Sequence, residues 1–269
     1  PPPPPPPPTL FFFLPLPVIP DAQESRGLGD VYKRQLLFSF SVSAQDLYWY
    51  DVLLDVKNES AKDFEKAVDD YYTSVDFPEG VSMTLSNIAM KGQGFKETHI
   101  LSFVSPSSQS LADLRSSLSG KKWDDYIDIV RPLINSARTA VGNASNPQNE
   151  DQINPIGQAW CFKVDSKNIP AFSAGFSKLM ETFNFPGFVA LAQVTHGLSN
   201  GENVIIYGTY SSLNDAFTFG PKNEAEASAF AEFGELTSGI SEFTQTWTRV
   251  KIKEFNYCLL YTSPSPRDS

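Results

Sequence analysis

The feature that most limits what this chain can fold into is an internal duplication. YWYDVLLDVKNESAKDFEKAVDDYYTSVDFPEG, from Tyr48, lies against QAWCFKVDSKNIPAFSAGFSKLMETFNFPGF, from Gln158. Each copy gives an alternating strand ending in Asp-x-Lys-Asn (Asp55 to Asn58, Asp165 to Asn168). A stretch of helical period containing Phe64 or Phe172 follows, and then a Phe-Pro turn. The pairing continues without a gap, because LSNIAMKGQGFKETHILSFVS from Leu85 and LAQVTHGLSNGENVIIYGTYS from Leu191 are equally long. A period of this size means two copies of one supersecondary unit rather than one continuous design.

Each unit reads as strand, helix, strand, hairpin turn, strand, helix, strand. In the second unit the expected strands are 159–165, 188–196, 203–210 and 244–253, with helices near 170–183 and 224–241. Pro170 suits a helix start, with Asn168 before it as the cap. SNGEN and GQG supply glycine for the hairpin turns. Phe230, Phe233, Leu236, Ile240 and Phe243 recur at helical spacing, an apolar stripe that needs a sheet to cover. The first unit diverges after Ser105, where Pro132 interrupts a helical pattern and the fourth strand is either the weak SARTAVG or absent. The polar run Asn143 to Gly157 has the Asn, Pro and Gly content of a linker. The expected organisation is a first unit over 45–145, a linker over 146–157 and a second unit over 158–257.

This order of elements, the duplicated Phe-Pro turn and the segment FAEFGELTSGISEF resemble the dimeric α+β barrel superfamily. The resemblance implies an α+β fold of two ferredoxin-like βαββαβ units fused in tandem, their sheets pairing into an α+β barrel with the helices outside. One chain would then be its own pseudo-dimer. The superfamily includes small cofactor-free monooxygenases, haem-binding enzymes, stress-response proteins and many members of unknown role, so fold alone assigns no function.

The ends read differently. VYKRQ (Val31 to Gln35) can be encoded by DNA whose reverse complement, read one base on, encodes Cys-Leu-Leu-Tyr-Thr, the run Cys258 to Thr262. Both flanks resemble read-through of a transposase-type sequencing adapter. Residues 1–35, Pro-rich and adapter-derived, and the tail 258–269 are therefore expected to be non-native. LLFSFSVSA (36–44) looks like the truncated end of a secretory signal, with small Val42 and Ala44 placed for cleavage before Gln45. This leads to an expected periplasmic or secreted location. The competing reading of the same run is an ordinary core strand.

The net charge is −10, and removing the flanks leaves it unchanged because four residues of each sign lie there. An acidic surface without basic clusters disfavours nucleic acid. No apolar run after Ala44 reaches the ~20 residues that span a bilayer, so no membrane span is expected. Cys161 is the one cysteine outside the flanks and reads as a small buried hydrophobe in AWCFKV.

Chemistry is sparse. No His or Cys spacing suits a metal, and no cofactor is called for. The pairs Asp69-Asp70 and Asp124-Asp125 read as solvated helix faces. His99, at a strand start, reads as an edge or surface residue, whereas His196 ends a strand where its ring could reach a cavity mouth. Alternation puts Trp247 and Arg249 on one strand face and His196 with Ala192 and Val194 on another. If those faces meet, His196, Tyr207, Trp247 and Arg249 form a pocket for a small apolar, aromatic or anionic molecule; otherwise the aromatics fill the core. Absence of a recognisable acid/base pair and the export signal favour an exported, non-catalytic small-ligand-binding or structural envelope protein; the alternative is a cofactor-free monooxygenase-like enzyme.

Overall fold

The computed structural model describes residues 47–197 and 201–256, so the expected signal segment and both flanks lie outside the described residues. The first unit comprises β1 (Leu47–Val56), α1 (Ala61–Tyr72), β2 (Ser82–Lys91), β3 (His99–Ser105), α2 (Ser108–Ser117), α3 (Lys121–Val130) and β4 (Ile134–Gln148). The second comprises β5 (Ile156–Val164), α4 (Ile169–Thr182), β6 (Val189–His196), β7 (Val204–Tyr210), α5 (Leu213–Phe217), α6 (Glu224–Ser238) and β8 (Ser241–Phe255).

The eight strands close into one antiparallel barrel in the order β1-β3-β2-β8-β5-β7-β6-β4. Split between units, this is β4-β1-β3-β2 joined to β8-β5-β7-β6, the same ferredoxin-like order twice. The seams are β2 with β8 and β4 with β6. Closure leaves no edge strand unpaired. The chain is thus two ferredoxin-like units in tandem whose sheets share one α+β barrel. Among the described residues, no helix is long and apolar enough to cross a membrane.

Strand alternation divides the apolar side chains into an outer and an inner set. Outside, Leu54, Val56, Met83, Leu85, Leu101 and Phe103 meet Phe64, Val68 and Tyr72 of α1, with Leu114 of α2 and Tyr126 of α3. The second unit repeats this with Val164, Val189, Leu191 and Val204 under Phe172, Phe176 and Leu179 of α4. Phe64 and Phe172, equivalent in the duplication, are both fully buried. Inside the barrel, one cluster joins Leu53, Ile88, Phe95, Ile100, Cys161 and Trp247, and another joins Leu47, Ala144, Phe188, Ala190 and Ala192.

Several expectations need correction. β4 is a full 15-residue strand running through the polar stretch to Gln148, because it pairs with β1 on one side and β6 on the other. Backbone ladders hold it without an apolar pattern. The connection that follows is tied down, since Asn149 Nδ2 donates to the carbonyls of Phe185 and Gly187, both at 3.0 Å. The apolar stripe of the last helix is shorter than its spacing suggests. α6 ends at Ser238, Leu236 is 49% exposed, and Phe243 is already on β8 and 54% exposed. Only Phe230, Phe233 and Ile240 pack onto the core. Pro170 does lie in the first turn of α4, but Asn168 ends a preceding 3-10 turn and makes no side-chain cap bond.

Side-chain caps form instead at α2 (Ser107), α5 (Ser212) and α6 (Asn223). Asn223 Oδ1 accepts from the Glu226 amide at 2.9 Å, and Glu226 Oε2 accepts from the Lys222 amide at 2.6 Å. Asn223→Ala is expected to destabilise the protein by about 1 kcal/mol, read as a lower urea midpoint at unchanged slope.

Candidate functional site

A cavity of about 120 Å³ lies inside the barrel, toward the end where β1, β2, β5 and β6 begin. Its lining is largely apolar, with Phe188, Ala190, Ala192 and Ile205 along one side. Leu47 and Ile153 also line it. The opposite end of the barrel is plugged by Phe95, which packs on Trp247 at 6.1 Å between ring centres and lies under the Arg138 guanidinium at 5.4 Å.

A polar group interrupts this apolar wall. Arg249 on β8 donates from Nε to the Tyr207 hydroxyl and from Nη1 to the Ser102 hydroxyl, each at 2.8 Å. Its guanidinium carbon is 5.1 Å from the centre of the Tyr207 ring. Asp51 on β1 pairs across the ladder with Ser102 on β3 and faces the same cavity. Burial pushes the Asp51 carboxyl up to about 6, against the opposing pull of Arg249 and the Ser102 hydroxyl. Burial also raises the Tyr207 hydroxyl, with Arg249 acting the other way. A carboxyl that titrates near neutrality beside a fixed cation is suited to taking up and returning a proton.

Two glycines make the space. A Cβ on Gly157 would lie 2.0 Å from the Tyr207 hydroxyl and 2.9 Å from Arg249 Nε. A Cβ on Gly142 would lie 2.6 Å from the Trp49 ring and 2.0 Å from the Gln193 carbonyl. Bare backbone admits the Tyr207 hydroxyl and Arg249 at Gly157 and the edge of the Trp49 indole at Gly142.

Of the four residues singled out from the sequence, the structure brings Tyr207, Trp247 and Arg249 to the cavity. It places His196 elsewhere. The strand β6 continues past the cavity wall at Ala192, the register with β4 shifts between Val141 and Gly142, and His196 ends exposed at the other rim with Nδ1 3.1 Å from Thr195 Oγ1. His99 is also not the surface residue expected. It is 4% exposed, its ring meets Phe64 edge-on at 5.2 Å, and its Nε2 lies 3.3 Å from Glu65 Oε1. Desolvation holds its pKa down despite Glu65. Cys161 is buried, and desolvation pushes its thiol up to about 12.

Sequence reasoning missed Asp51, Trp49 and Ser102. The available signal was in YWYDVLLDV, where Asp51 sits mid-strand with apolar neighbours on both faces. An acid at such a position is either solvated on an edge or held for a purpose.

No protein-family profile and no curated protein sequence matches the chain. Solved structures do. A candidate monooxygenase from Lactobacillus acidophilus NCFM superposes with a TM-score of 0.56 at 13% identity, covering 78% of this chain and 95% of that one. A candidate monooxygenase from Fusobacterium nucleatum subsp. nucleatum gives 0.55 at 14% identity, covering 80% and 95%. An anthrone oxidase-like protein gives 0.53 at 13% identity, covering 78% and 92%. At such identities the likeness is one of fold.

Proposed function

We propose that the barrel cavity binds a compact phenolic ring and oxidises it with dioxygen as a cofactor-free monooxygenase. The observation that carries this reading is Asp51, a carboxyl titrating near 6 that faces an apolar cavity beside Arg249 and Tyr207. The names of the similar folds, two candidate monooxygenases and an anthrone oxidase-like protein, support it. The size of the cavity selects the ligand, since an apolar void of roughly 150 Å³ takes a benzene ring.

Asp51 takes the phenol proton, and Arg249 with Tyr207 holds the phenolate oxygen, raising electron density at the para carbon. One atom of dioxygen bonds there. The para C–H and O–O bonds break, and the second oxygen atom leaves as water carrying the former hydroxyl and para hydrogens. Phenol and dioxygen thus become quinone and water, a four-electron oxidation matched by a four-electron reduction. Dioxygen is the only co-reactant.

The test is 2-methoxyphenol in air, followed by an oxygen electrode and by quinone absorbance. The expected result is uptake above a heat-denatured control, with a rate rising as pH passes through about 6, because the base acts ionised. Asp51→Asn is expected to lower the rate by about 10²-fold or more. Equal rates in wild type and variant would remove Asp51 from the mechanism. Binding with no uptake in the wild type would assign the barrel to ligand carriage instead.

A further inference from the structure

A row of four polar side chains crosses the barrel wall. Asp51 on β1 is level with Ser102 on β3, Ser102 with Thr84 on β2, and Thr84 with Glu254 on β8. The four strands are adjacent in the barrel. Leu101 and Phe103 beside Ser102, Met83 and Leu85 beside Thr84, and Phe255 beside Glu254 are all buried under the helices, so alternation turns the polar row inward. Every member of the row lines the cavity. Across the barrel, Ala190 and Ala192 of β6 and Ile205 of β7 offer no polar side chain. A ligand that fits both walls has its polar groups along one edge.

The row beyond Asp51 has unused hydrogen-bonding capacity. Ser102 Oγ accepts from Arg249 Nη1 at 2.8 Å, which ties the first part of the row to the guanidinium. At the other end Glu254 Oε2 accepts from Lys251 Nζ at 2.7 Å. Neither Glu254 Oε1 nor the Thr84 hydroxyl has a hydrogen-bond partner among the described residues. A Thr84 hydroxyl that gives its one proton to Glu254 Oε1 keeps its lone pairs for a donor. Such a position takes an O–H group rather than an ether.

We propose that the substrate is a 1,3-dihydroxylated ring, with one hydroxyl at Asp51 and Arg249 and the second donating to Thr84, which Glu254 orients. This rests on the reading that a phenolic hydroxyl sits at Asp51. Neighbouring strands lie about 4.8 Å apart, close to the separation of two oxygens meta to each other on a benzene ring. Ortho oxygens are too close together to serve both positions, and the para carbon must carry hydrogen for the oxidation above. The same pattern suits the chemistry. The carbon para to the first hydroxyl is ortho to the second, so both oxygens push electron density onto the atom that meets dioxygen. 1,3-Dihydroxybenzene and dioxygen thus become 2-hydroxy-1,4-benzoquinone and water.

The probes are 1,3-dihydroxybenzene, its 1,2 isomer and 3-methylphenol, with affinities measured by calorimetry under nitrogen, where no turnover is needed. Wild type is expected to bind the 1,3 isomer at least about fivefold more tightly than the 1,2 isomer, which has the same polar groups. Thr84→Val exchanges the hydroxyl for a methyl group of similar size. It is expected to weaken 1,3-dihydroxybenzene by about five- to tenfold and to change 3-methylphenol by less than about twofold. The isomer comparison needs only the wild type and covers a variant that folds poorly. Isomers bound equally, an unchanged 1,3-dihydroxybenzene affinity in Thr84→Val, or a loss shared by 3-methylphenol overturns this inference and leaves phenol binding intact. Failure of the wild type to bind any of the three overturns both readings.

Discussion

Gly142→Ala is expected to destabilise the barrel by roughly 3–4 kcal/mol, beyond the usual range for overpacking. The reason is where the methyl group would go. It would lie 2.0 Å from the Gln193 carbonyl oxygen, which belongs to the backbone of β6, and 2.6 Å from the Trp49 ring. A flexible side-chain end could swing aside, but a backbone carbonyl in a ladder cannot. Gly142 is on β4, paired with Trp49 of β1 and Val194 of β6, so the strain falls on a seam that closes the barrel. Gly234→Ala is the matched control. That glycine is inside α6 with nothing within 4 Å of an added Cβ, and alanine there is expected to stabilise by about 0.5–1 kcal/mol. Urea unfolding of the two variants should move in opposite directions. A loss below about 1 kcal/mol at Gly142 would contradict the tight β4–β6 approach.

Asp51→Asn is expected to stabilise the protein above pH 7, and the gain should vanish in acid. A carboxyl held at about 6 rather than its ordinary 3.8 binds its proton more tightly folded than unfolded. Above pH 6 the folded chain carries an ionised group that costs about 3 kcal/mol relative to the protonated one. Well below pH 3.8 both states are protonated and the cost is gone. Asparagine, neutral and of the same shape, mimics the protonated carboxyl at every pH. The variant should therefore exceed wild type by about 2–3 kcal/mol at pH 8, by less at pH 5, and approach it near pH 3.5. The attraction of Arg249 is already included, since it opposes the upward shift and loses. A variant less stable than wild type at pH 8 would mean that the Asp51–Arg249 attraction outweighs desolvation. Stability gained on removal of the buried charge is the pattern of a strained functional group.

Much of the architecture was legible because a repeated pattern needs no long-range information. The Asp-x-Lys-Asn strand ends, the two Phe-Pro turns and the paired Phe64 and Phe172 place the same elements twice, and the barrel follows from joining their sheets. Period-two alternation likewise put Trp247 and Arg249 on one face. Register was not legible. The gapless pairing of Leu85–Ser105 with Leu191–Ser211 sets Leu101 against Tyr207, yet Leu101 packs under the helices and Tyr207 faces the cavity. An odd slip reverses every face, and β2 contains two irregularities in its pairing with β8. His196 fell outside the site for the same kind of reason, a shift in the β4–β6 ladder. Asp51 was missed because its partners, Ser102 and Arg249, are brought to it only by closure of the barrel, across 51 and 198 residues of chain.

The two tryptophans inside the barrel break the symmetry of the duplication. Aligned on Asp55–Asn58 and Asp165–Asn168, Trp49 is level with Ala159, and their cross-strand neighbours are Gly142 and Trp247. Each half therefore pairs one indole with one small residue, but on opposite strands. Asp51 is level with Cys161 in the same alignment, so the acid belongs to one half while Arg249 and Tyr207 belong to the other. The two halves of the inner wall are therefore not copies of each other, and the polar set is complete only where they meet.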